Sequence, residues 1–186
     1  MSADNPGTKP QHTPDAPHFN TERHRFAISR MFDAPRELVF SLWSDADHLR
    51  RWWGPKGCSI GICNLDLRPG GQLLYSLRMP DGQEMWGKFI YREILMPDRL
   101  VFVSSFSDPK GNVTRSPLNA NWPLEILNTL NLSQRFNLTQ LTLLGEPLNP
   151  TPEELLVFES MLDTLHQAFS GTFDQLAAYL RTLPKQ

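Results

Sequence analysis

A basic excess, cysteine pairs at metal spacing and long apolar runs are all missing from this sequence, and each absence removes a class of function. The formal net charge of -2 leaves no cationic face for nucleic acid, and Arg50-Arg51 is the only adjacent basic pair, with Asp45 and Asp47 close by. No stretch approaches the ~20 apolar residues of a membrane span. The first residues hold no apolar run of the kind a secretory leader needs, so a cytoplasmic protein with no membrane partner is expected. There are only two cysteines, Cys58 and Cys63, with no C-x-x-C spacing and no histidine near them. Their odd offset in a segment that reads as a strand sends them to opposite faces, so they are expected as separate buried thiols in a reducing compartment. No zinc spacing, phosphate loop or nucleophile turn is present, so neither a metal nor a cofactor is expected, and no catalytic residue is assigned.

What is present suits one domain. A chain of 186 residues can bury roughly 70% of the surface its unfolded form exposes, enough for a core without staples. Residues 1–22 are proline-punctuated and polar, with Pro6, Pro10, Pro14 and Pro17, and read as a disordered tail; residues 23–183 read as the folded unit.

Alternating Phe26, Ile28 and Phe32 predict a first strand. Asp33-Ala34-Pro35 reads as a helix start capped by Asp33, and Ser44 reads as the cap of a second short helix ending near Trp53-Gly54-Pro55. Cys58, Ile60 and Ile62 then share a face before Leu65 and Leu67 change phase, which predicts a bulge or a strand buried on both sides. Leu73, Tyr75 and Leu77 alternate with Gln72, Ser76 and Arg78, placing the polar set outside. Turns at Pro80-Asp81-Gly82 and Pro97-Asp98 separate strands over 84–94 and 100–106, so the sheet is expected to be an antiparallel meander. Residues 107–121 form a long polar loop, and 122–132 with 138–144 close the sheet.

Thr151-Pro152-Glu153-Glu154 is a capping box with proline at the first helical position. Phe158, Leu162, Leu165, Phe169, Leu176 and Leu180 continue at helical steps, predicting one helix on the order of 45 Å long, ending near Leu183.

This order is the one expected of the START-like (SRPBCC) helix-grip superfamily. Arg51-Trp52-Trp53-Gly54-Pro55, Asp66-Leu67-Arg68-Pro69-Gly70-Gly71, Trp86-Gly87, Pro97-Asp98-Arg99-Leu100-Val101-Phe102, Trp122-Pro123-Leu124-Glu125 and Gly171-Thr172-Phe173-Asp174-Gln175-Leu176 resemble, in register, the bacterial relatives of the heat-shock protein 90 ATPase activator. The resemblance implies an α+β fold: a curved six- to seven-stranded antiparallel sheet wrapped around a long C-terminal helix, with two short helices after the first strand. It also implies a cavity between sheet and helix, and a chaperone as one conceivable partner.

For that cavity the candidate ligand-binding side chains are Trp53, Tyr75, Trp86, Phe102, Trp122 and Met161. Large aromatics fill cores more often than they line sites, so plain packing is the competing reading. The Trp52-Trp53 pair is a candidate gate or partner contact, on the expectation that two adjacent tryptophans cannot both face one core, with a packed helix terminus as the favoured alternative. Glu125, the one carboxylate in an apolar run, and His166, beside the helix's apolar face, are the possible polar site, with alternation favouring an outward Glu125. The leading expectation is noncatalytic binding of a small hydrophobic or aromatic molecule. A co-chaperone or stress-related interaction protein comes second. A cyclase- or hydratase-like enzyme using Glu125 with Tyr91 or His166 comes last.

Overall fold

The computed structural model describes residues 25–184. The expected tail over 1–22 lies outside the described residues. A seven-stranded antiparallel sheet in the order β1-β7-β6-β5-β4-β3-β2 curls around the helices. The strands are β1 (Phe26–Asp33), β2 (Ser59–Leu65), β3 (Gln72–Arg78), β4 (Glu84–Leu95), β5 (Arg99–Ser107), β6 (Ile126–Arg135) and β7 (Leu138–Pro147). The helices are α1 (Arg36–Ser44), α2 (Ala46–Trp52), α3 (Pro152–Ser160) and α4 (Leu162–Leu180). Every connection from β2 to β7 joins sheet neighbours, while β1 reaches across the chain to pair with β7, Phe26 opposite Gly145.

The helix starts differ in detail from the sequence reading. α1 is capped by Pro35 without a side-chain bond, because Asp33 still belongs to β1 and accepts from Asn137 Nδ2. The free N–H of Arg36 instead donates to Gln134 Oε1 at 2.8 Å, so the β6–β7 hairpin satisfies the helix end. α2 is capped by Asp45, whose carboxylate accepts from the N–H groups of Asp47 and His48; Ser44 closes α1 and donates to Phe40 O.

The expected bulge lies in β2 between Ile60 and Cys63. Ser76, placed outside by alternation, is fully buried there. Its hydroxyl accepts from Ile62 N and donates to Glu84 Oε1, both at 2.9 Å, satisfying an N–H that the bulge strips of its ladder partner. Cys58 precedes β2, half-buried against Met79 Sδ, while Cys63 is buried and donates to Ala46 O. Burial raises both thiols.

The segment 122–125 is not strand; β6 begins only at Ile126. The single long C-terminal helix is also interrupted. The capping box of Thr151 and Glu154 forms as expected, but α3 ends at Ser160, whose hydroxyl donates back to Val157 O, and Met161 joins it to α4 with φ -100 and ψ 0. α4 carries Phe173 and Leu176 into the core and ties to the end of α2: Thr172 Oγ1 and Gln175 Nε2 both donate to Gly54 O.

Candidate functional site

Between the curled sheet and the α3–α4 junction lies a cavity of about 330 Å³, large enough for a small organic molecule. Strands β3 and β4 supply one wall through Tyr75, Leu77, Met85 and Trp86. Phe26, Phe158, Met161, Leu165 and Phe169 supply the opposite one, Met161 from the break between α3 and α4. Leu118, Asn119, Thr164 and Ala168 line the cavity yet are exposed, so they mark its mouth.

The loop over 107–121 is built rather than open. Asp108 caps a tight turn, accepting from the N–H groups of Lys110 and Asn112 and from Asn112 Nδ2, contacts that lower its carboxyl. Lys88 Nζ donates to Gly111 O at 2.8 Å. Arg115 forms an ion pair with Glu154, the buried carboxylate of the α3 capping box, so the loop is fastened to the helix start. The Arg115 hydrogen bond, then that from Thr151 N, hold the Glu154 carboxyl below its ordinary value.

No Asp, Glu, Lys, Arg or His lines the cavity among the described residues. Its polar features are few. Asn128, only 7% exposed, projects from β6 and spends both amide hydrogens, one on Ser104 Oγ and one on Ile126 O, each at 2.9 Å. Burial pushes the Tyr75 phenol up to about 12, against the pull of a hydrogen bond from Trp53, so it stays protonated.

Of the candidate side chains, Tyr75, Trp86, Trp122 and Met161 lie on the cavity wall. Trp53 and Phe102 do not. Phe102 is stacked on Phe89 at 4.3 Å in the closed core. Trp53 packs edge-on against Trp43, Phe89 and Phe169. Both members of the Trp52-Trp53 pair face the core, because α2 ends at Trp52 and Trp53 adopts an extended ψ of 132, which removes the helical step between them. This is the arrangement of a packed helix terminus. Glu125 lies in the irregular segment before β6 and is absent from the cavity wall; His166 is exposed and packs its ring against Phe26 at 4.8 Å. Tyr91 is buried in the core. The three residues of the enzyme reading are therefore not brought together in the cavity.

Sequence reasoning missed Asn128, Ser104 and the mouth residues. A signal existed for the first two: Asn128 is in phase with Ile126, Leu130 and Leu132, and Ser104 with Leu100, Phe102 and Phe106. Among the described residues no group of three or more His, Cys, Asp or Glu side chains could hold a metal ion.

The family model described as "Activator of Hsp90 ATPase homolog 1-like protein" matches residues 33–181. Nothing among curated proteins matches the chain. Solved structures do. A solution structure of an Arthrobacter aurescens protein is 25% identical, with a TM-score of 0.73, over 89% of this chain and 91% of that one. A Mycobacterium smegmatis protein is 23% identical with a TM-score of 0.70, over 87% and 93% of the two chains. An AHSA1 protein from Silicibacter pomeroyi shares the fold at 18% identity, TM-score 0.66, over 85% and 98%.

Proposed function

The chain belongs to the Activator of Hsp90 ATPase homolog 1-like family, and on that premise we propose that it binds a small apolar or aromatic molecule without transforming it. One observation carries this reading: a cavity of about 330 Å³ whose wall is mostly aromatic and aliphatic, with a few neutral polar side chains, and holds no ionisable side chain except the protonated Tyr75. Proton transfer needs a group whose pKa lies near the working pH, and none stands on that wall among the described residues. A site in the cytoplasm accompanies the proposal; no helix among the described residues is long and apolar enough to cross a membrane.

Native mass spectrometry of the freshly purified chain, followed by extraction, tests it. A reproducible adduct is expected, and Ala168→Trp, which places a bulky ring at the exposed mouth, is expected to abolish it. A clean unliganded mass, together with no change in tryptophan fluorescence on adding apolar aromatic compounds, would remove the reading.

A second reading, docking to a heat-shock chaperone, is favoured by exposed apolar side chains at one end of the sheet. Leu95 and Met96 at the β4–β5 turn and Phe136, 86% exposed, at the β6–β7 turn share that end. Failure of the chain to stimulate the chaperone's ATP hydrolysis would dispose of it.

A further inference from the structure

Both amide hydrogens of Asn128 are committed, and their direction fixes the orientation of the amide: the group facing the carbonyl of Ile126 must be the NH2. Asn128 Oδ1 is therefore the free end, with no hydrogen-bond partner among the described residues. It is held beside Gly145, another residue of the cavity wall, where a Cβ would stand 3.4 Å from it; the glycine leaves the space in front of the oxygen open. Ser104 Oγ, also on the wall, accepts from Asn128 Nδ2, which leaves its own hydrogen free to donate. An acceptor on Asn128, a side chain more than nine-tenths buried, and a donor on the half-buried Ser104 thus stand together on a mostly apolar wall whose other polar side chains are Tyr75, Ser105, Ser116, Asn119 and Thr164.

Resting on the cavity-binding reading above, we infer that Asn128 and Ser104 select an uncharged ligand bearing a hydroxyl group, a phenol or an alcohol on an apolar frame. A hydroxyl satisfies both partners at once, donating to Asn128 Oδ1 and accepting from Ser104 Oγ. A hydrocarbon of the same shape covers the buried amide oxygen and leaves it unpaired, which costs affinity. A carboxylate fares worse, because no cation lines the cavity among the described residues and an ionised group would enter unpaired.

Isothermal titration calorimetry of the full chain with naphthalene, 2-naphthol and 2-naphthoate tests the selection. One net hydrogen bond predicts 2-naphthol binding about tenfold tighter than naphthalene, with 2-naphthoate weakest of the three. Asn128→Leu should bring the naphthol-to-naphthalene ratio to about one, and Ser104→Ala, a gentler change that keeps the amide, should lower it in part. Equal binding of naphthol and naphthalene by the unaltered chain overturns the selection while leaving the cavity reading intact. So does a preference for naphthoate, or a naphthol preference that Ser104→Ala leaves whole. Binding of none of the three overturns both.

Discussion

Tyr75 stands directly across the β3–β4 ladder from Gly87, and the pairing depends on the absence of a side chain there. A Cβ on Gly87 would lie 2.6 Å from the phenol oxygen and 2.7 Å from the carbon that bears it. Gly87→Ala therefore forces the ring off its place on the cavity wall, and overpacking of this kind costs about 1–3 kcal/mol. The loss should appear as a lower urea midpoint, and adding Tyr75→Leu should recover most of it. An alanine variant as stable as the parent would mean that the ring relocates freely. The sequence displays Trp86-Gly87 as a motif, and the contact gives the glycine a mechanical reason. Trp53 and Phe102 illustrate the opposite case: their size marks them for burial, but whether a buried ring meets a neighbour or a void depends on the facing element.

At the level of elements, strands and turns are legible because proline, glycine and aspartate punctuate them, and the phase change in β2 announces its bulge. The C-terminal break is not legible, because the apolar steps run on through Leu162 and Leu165 while the backbone leaves helical geometry at Met161 alone. The fastening of the 107–121 loop is equally hidden, since Arg115 and Glu154 are far apart in sequence. That ion pair has a pH signature. Arg115 and the capping bond hold the Glu154 carboxyl below its unfolded value, so the stability it supplies is complete above the ordinary carboxylate range. It is lost as pH falls through the lowered folded value. The melting temperature of the parent should exceed that of Glu154→Gln at neutral pH, and the two should converge in acid. A gap that stays constant down to acid pH would show that charge on Glu154 contributes nothing.

For the whole molecule, the family and the helix-grip architecture could be read from ordered motifs because the meander is local: each strand from β3 onward lies beside the one before it. The cavity's polar corner could not be read as a site, since it joins residues of β5, β6 and β7 whose relation is set by register alone. Among the described strands the pairing of longest range is that of β1 with β7, Phe26 opposite Gly145 and Asp33 opposite Leu138. During synthesis, β1 leaves the ribosome more than a hundred residues ahead of its partner, a wait on the order of ten seconds at ordinary elongation rates. Through that interval its apolar face, Phe26 and Phe32 included, has neither β7 nor α4 to cover it. The cavity, walled by Phe26 of β1 and by Phe169 of α4, comes into being only once α4 has emerged and packed, so during synthesis its enclosure trails its first wall by well over a hundred residues.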